Sequence, residues 1–195
     1  RTGLIYRLDR FIWELAVQQL AKWQKEGRDE LYISVNISTK DFQYMDVYQT
    51  ITSLVERYGI IPSTLKLEIT ETAIMMGNAG ELETIGRFRN YGFEVEIDDF
   101  GSGYSSLNTL KDIDVDVLKI DMGFLRTTRS ERVERSMSIL NMIISLSKIL
   151  GLSVVTEGVE TKDQVSRLSQ MGCGVYQGYY FSKPIPVHEF EERYM

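Results

Sequence analysis

The sequence predicts an α/β protein built around a parallel sheet. Three observations predict it. Short apolar runs alternate with longer segments of helical periodicity along the whole chain, the pattern of successive βαβ units. Glycines and capping residues fall at the ends of the helical segments rather than inside them. Acids, amides and a lysine recur at the C-terminal ends of the apolar runs, the rim where parallel α/β proteins place ligands and catalytic groups.

Taken in order, Leu8, Phe11, Ile12, Leu15, Leu20 and Trp23 fall at helical spacing, so residues 7–26 read as an amphipathic helix ending before Gly27. Residues 31–37, Leu-Tyr-Ile-Ser-Val-Asn-Ile, read as a strand. A helix over 47–58 puts Val47, Ile51, Leu54 and Val55 on one face and closes at Gly59. A strand follows at 65–70, a helix at 81–91 stopped by Gly92, and strands at 93–98 and 115–120. Ser130 is placed to cap a long helix over 131–150, with Gly151 behind it. A fifth strand occupies 152–156. Thr161-Lys162-Asp163-Gln164 is a capping box that opens a short helix to Met171, and 175–181 reads as a sixth strand. Six strands suit an open doubly wound sheet or part of a (β/α)₈ barrel of typically about 250 residues. The Gly-x-Gly-x-x-Gly turn of a dinucleotide fold is absent after the first strand, and a barrel that opens on a helix lacks its start. No linker or repeat divides the chain, which suits one domain over 1–195.

Composition narrows the chemistry. With 43% hydrophobic and 26% charged residues the chain is an ordinary globular domain. A net charge of −6 argues against a DNA or RNA polymer as ligand, and means that an anionic nucleotide would need cations to offset repulsion. The single Cys173 rules out an internal disulfide or a cysteine zinc site, and reads as a small buried residue. The single His188 sits in Pro186-Val187-His188-Glu189-Phe190-Glu191, the start of a terminal helix, and reads as surface. Any hydrolysis here would have to run on carboxylates, lysine and metals. No apolar run approaches a membrane span and no signal peptide is visible, so the expected setting is cytoplasmic, without direct membrane contact by this domain, even if the parent protein is membrane-anchored.

The chain is organised around Ile97-Asp98-Asp99-Phe100-Gly101-Ser102-Gly103-Tyr104-Ser105-Ser106. Two adjacent carboxylates end a strand, and glycines follow that let the backbone turn close to a ligand. Adjacent strand residues normally point to opposite faces, but a turn at the strand end lets both reach one site and serve two hard cations. Other strand ends add Asn36, Glu68 with Glu71 behind it, Lys119, Glu157 with Glu160 behind it, and Gln177. Oxygen donors from several strands at one rim are what Mg²⁺ or Mn²⁺ requires. Each has a plainer reading: Asp98-Asp99 as a polar turn, Asn36 as a cap at Ser38, Glu68 as an outward residue, Lys119 as a strand-end charge, Glu71 and Glu160 as solvated turn residues.

The ten-residue string closely resembles the Asp-Asp-Phe-Gly-(Thr/Ser)-Gly-Tyr-Ser-Ser signature of the EAL domain, the bacterial cyclic di-GMP phosphodiesterase family. The resemblance runs from Thr2-Gly3-Leu4-Ile5 to Pro184. It takes in Val35-Asn36-Ile37-Ser38, Leu67-Glu68-Ile69-Thr70-Glu71, Leu118-Lys119-Ile120-Asp121, Glu157-Gly158-Val159-Glu160 and Gln177-Gly178-Tyr179. It departs at Thr156, where the family usually has Ala, and at Gly174, where it usually has Asp. The resemblance implies a modified TIM-type barrel whose first strands, with the Glu-Ala-Leu triplet and its metal-binding Glu, are missing from this chain. It implies two divalent cations, Mg²⁺ or Mn²⁺, held by Asn36, Glu68, Asp98, Asp99 and Glu157. Asp98 bridges, Lys119 orients or polarises the attacking water, and Glu71 steadies the glycine loop with Gly101 and Ser102. Glu160 lies behind the ligands and Gln177 contacts the nucleotide. The implied function is hydrolysis of cyclic di-GMP to linear pGpG, with a catalytically silent cyclic di-GMP receptor or scaffold as the rival. Upstream regulatory domains, such as GGDEF or sensor domains, and a homodimer are the further partners expected.

Overall fold

The computed structural model describes residues 4–101, 113–121, 123 and 130–195. Among these the strands are β1 Ile33–Ile37, β2 Leu65–Thr70, β3 Val95–Phe100, β4 Val117–Ile120, β5 Ser153–Thr156 and β6 Val175–Tyr176, in one sheet whose spatial order follows the chain. β1–β2, β2–β3 and β5–β6 pair in parallel. The helices are α1 Ile5–Lys25, α2 Thr39–Tyr44, α3 Val47–Tyr58, α4 Glu71–Met76, α5 Ala79–Tyr91, α6 Ser130–Ile149, α7 Lys162–Gln170 and α8 Val187–Tyr194. The α/β architecture with a parallel sheet is therefore as the alternation of elements predicts. The chain forms two compact units, Arg1–Leu118 and Lys119–Met195, divided inside β4.

In the first unit, alternation in β1, β2 and β3 sends Val35, Ile37, Leu65, Leu67, Ile69, Val95 and Ile97 to one buried face. The register sets Asn36 beside Glu68, Glu68 beside Glu96, and Thr70 beside Asp98 on the other face. Helix α1 departs from expectation. Leu20 and Trp23 are buried, but Leu8 and Phe11 are 57% and 56% exposed, and Ile12 and Leu15 are also exposed. The packed stripe is Trp13, Ala16, Val17, Leu20 and Ala21. The alanines let the helix lie close to β1, and Trp13, 1% exposed, donates from Nε1 to the Asn36 carbonyl at 3.0 Å.

Two short helices are additions to the sequence reading. Ser38 caps α2 in a reciprocal box with Asp41, whose Oδ2 accepts from the Ser38 amide at 2.8 Å. Thr70 caps α4, whose first residue is Glu71. Strand boundaries shift as well. β3 begins at Val95 and runs through both aspartates to Phe100, while β6 is only two residues long.

In the second unit, α6 packs Leu140 and Ile144 inward, and the expected Thr161 capping box opens α7. The Glu157 amide donates to the Ile120 carbonyl at 3.0 Å, and the Gln177 amide to the Thr156 carbonyl at 2.9 Å. β6 is short because the chain turns over the Glu157–Glu160 loop after Tyr176. The Val159 amide donates to the Gln177 carbonyl, and the Tyr180 amide to the Val159 carbonyl. A Cβ on Gly178 would stand 2.2 Å from the Val159 carbonyl oxygen, so this crossing requires glycine. No helix among the described residues is long and apolar enough to cross a membrane.

Candidate functional site

The first unit gathers acids on one face of β1–β3. Glu68 is buried in β2, and Asp98 and Asp99 lie inside β3. Regular strand geometry would send the two aspartates to opposite faces. Asp99 instead adopts φ 56°, the left-handed conformation that non-glycine residues rarely take and that clusters at functional sites. The carboxylate oxygens of Asp98 and Asp99 consequently come within 4.8 Å of each other. Asn36 is exposed near the end of β1, with its backbone carbonyl fixed by Trp13.

Glu71 is buried, contrary to the reading of it as a solvated turn residue. Its Oε2 accepts the Gly101 amide at 2.9 Å, so β2's end holds the first residue of the glycine loop, and its Oε1 is buried without a hydrogen-bond partner. Gly101 has φ 91°, a conformation glycine adopts freely. Ser102 and residues 103–106 lie outside the described residues.

The second unit holds Lys119 and Glu157. Lys119 is 3% exposed in β4, and its Nζ lies 2.8 Å from Glu157 Oε1 at the end of β5. A buried side chain of this kind is held in place by the carboxylate that faces it. The Thr156 departure is accommodated by Cys173: both are buried, and Thr156 Oγ1 lies 3.2 Å from Cys173 Sγ. Glu160 and Gln177 are exposed. Gln177 is positioned through its backbone, and the Glu160 amide donates to Gln164 Oε1 at 2.8 Å. His188 is exposed at the start of α8.

These motifs can be set beside known proteins. The EAL domain family matches residues 1–184. This chain belongs to the EAL domain family. Signaling protein YkoW of Bacillus subtilis is 35% identical over 191 residues, 98% of this chain and 24% of YkoW. Cyclic di-GMP phosphodiesterase RocR of Pseudomonas aeruginosa is 32% identical over 185 residues, 94% of this chain and 47% of RocR. The solved PaMucR phosphodiesterase, a c-di-GMP complex, matches with a TM-score of 0.89 at 32% identity, covering 97% of this chain and 76% of that one. The EAL chain described here thus spans less than half the length of either curated relative.

Residues that the sequence reading passed over also face the acids of this EAL domain. Lys66 Nζ lies 2.6 Å from Glu94 Oε1 and 3.4 Å from Glu96 Oε1. The available signal was the period-two run Glu94-x-Glu96-x-Asp98 beside Lys66-x-Glu68, which places all five side chains on one strand face. Desolvation pushes the Lys66 ammonium toward losing its proton. Glu94, Glu96 and Tyr32 together outweigh it, leaving its pKa above the usual lysine value.

Proposed function

We propose that this EAL domain is a divalent-metal-dependent phosphodiesterase that hydrolyses cyclic di-GMP to linear pGpG. The observation that carries the proposal is the Asp98–Asp99 pair, brought to one side of β3 by the left-handed backbone of Asp99. The donor set fits Mg²⁺ or Mn²⁺: Asn36, Glu68, Asp98, Asp99 and Glu157 offer only hard oxygen atoms. Asn36, Glu68 and Asp98 are assigned to one cation, and Asp98, Asp99 and Glu157 to the second. When bound, such a pair neutralises a phosphodiester and lowers the pKa of a coordinated water. The chain's own residues do the rest. Asp98 and Asp99 present their oxygens together without a conformational search, and Glu71 holds the Gly101 amide at the end of β3. Lys119, oriented by Glu157, offsets charge that develops on the phosphoryl oxygens and steers the attacking water. Gln177, Gly101 and Ser102 are assigned to the nucleotide, with Glu160 behind them.

The similarity to RocR, a cyclic di-GMP phosphodiesterase, and to the PaMucR c-di-GMP complex supports cyclic di-GMP as the substrate. The much greater length of YkoW supports further regulatory domains, such as GGDEF or sensor domains, in the parent protein. The test is incubation of the protein with cyclic di-GMP and Mn²⁺, followed by chromatography of products. pGpG is the expected product, and Ca²⁺, which prefers longer bonds and more ligands, should not replace Mn²⁺. Binding of the nucleotide without cleavage overturns the enzymatic reading in favour of a receptor. Light scattering of the same sample tests the expected homodimer.

A further inference from the structure

Strands of a parallel sheet are normally apolar on both faces, yet one face of β1–β3 carries Ser34, Lys66, Glu94 and Glu96 behind the proposed metal ligands. Ser34 stands beside Lys66 in register, and Glu68 beside Glu96. Glu96 is therefore next to Glu68 across the ladder and two residues behind Asp98 on its own strand. It is 3% exposed and accepts from Ser34 Oγ at 3.4 Å. Lys66 Nζ reaches it at 3.4 Å while also lying 3.9 Å from the Tyr32 ring centroid. A buried ion pair is weak support for stability, because desolvation cancels much of the attraction. Its position points to another role.

We infer that Glu96 is a positioning residue that sets the divalent-cation affinity of the Glu68 and Asp98 side of the site through its fixed negative charge, with Lys66 as its counter-charge. The inference rests on the metal-dependent reading above. Coulomb interactions between groups this close are screened little by solvent when both are buried. Glu96 draws a cation toward its neighbours, and Lys66 repels one and limits the charge that accumulates when the site is empty. The two side chains thus act on the same cation with opposite signs, although they are partners in one ion pair. Outer groups that only orient ligands lack this signature.

The test is Mn²⁺ binding, read by loss of the free-ion electron paramagnetic resonance signal and by calorimetry, without substrate. Glu96→Gln should weaken Mn²⁺ binding about tenfold, the scale of changes behind a metal's ligands. Lys66→Met should tighten it several-fold, and the double variant should return near the wild-type affinity. Weakening by both single variants, or unchanged affinity with lowered thermal midpoints, assigns the pair a structural role and overturns the inference. A variant that fails to fold leaves the other to decide: tighter binding by Lys66→Met supports the inference and unchanged binding sinks it. A wild-type protein that binds no Mn²⁺ overturns the metal reading itself, and this inference with it.

Discussion

The two units hold their polar residues in different ways. In the first, β1–β3 run five to six residues each in continuous register, and alternation alone puts Glu68, Glu96 and Asp98 on one face. The backbone needs one exceptional conformation there, at Asp99. In the second unit the strands are only two to four residues long, and loops do the positioning. Glu157 is tied to buried Lys119, while Gln177 is held by the backbone crossing at Gly178 and Val159. The difference teaches where each unit is vulnerable. A carboxylate presented by a long strand is removable without disturbing the frame, because the ladder and the opposite apolar face hold it. A residue presented by a laced loop, or buried in a short strand against a loop carboxylate as Lys119 is, is part of the frame.

That contrast predicts a graded series. The largest effect is expected for Asp98→Asn: turnover of cyclic di-GMP should fall by roughly 10³-fold or more, the scale set by loss of a charge-stabilising group. Its thermal midpoint should barely change, as calorimetry would report. A midpoint drop matching the activity loss would erase the distinction between the units. Lys119→Met should lose both properties, since breaking a buried ion pair from one side costs about 3–5 kcal/mol. Chemical denaturation checks this, and a variant as stable as wild type would show that the Lys119–Glu157 pair is not part of the frame.

Gly178→Ala sharpens the loop half of the comparison. The new methyl group meets Val159 backbone atoms, so the crossing must open, at about 1–3 kcal/mol. Gln177 moves with it, and KM for cyclic di-GMP should rise more than kcat falls. The smallest effect lies on the first unit's surface, at Asp9 in α1. Desolvation, then the charge of Asp41 and a hydrogen bond with it, raises the Asp9 pKa above its ordinary 3.8. A raised carboxyl pKa means that the folded state holds the proton more tightly. This contribution is fully present below the ordinary value and is lost as pH rises through the folded one. Asp9→Asn should therefore raise the thermal midpoint slightly at neutral pH, with the gain vanishing below about pH 4. A gain independent of pH would remove Asp41 from the explanation.

Much was legible in the sequence because it is local. Helix and strand identity followed from period and punctuation: β2 and α3 fall at their expected bounds, and the Thr161 box opens α7 as its residues dictate. The motif strings by themselves carry the resemblance to the EAL family. Residue type alone reads Glu71 as solvated, whereas the family resemblance sets it at the glycine loop; the Thr70 cap and the Gly101 amide hold it there. Helix α1 was misread for a related reason. Its apolar residues cover more than one stripe, and periodicity cannot say which one meets β1. Small Ala16 and Ala21 decided it by permitting close approach.

What the sequence determined by itself is the order of elements, the family, and the identity of the acids at the strand ends. All of these depend on neighbours along the chain. What only the tertiary structure decided is which of those acids are pulled out of water, and by what. Asp98 and Asp99 come together through one backbone torsion. Lys119 is buried against Glu157, and Lys66 gathers Glu94 and Glu96 from 28 and 30 residues further along the chain. Burial and electrostatics depend on distances through space, and a linear string fixes those only once its strands lie side by side in register.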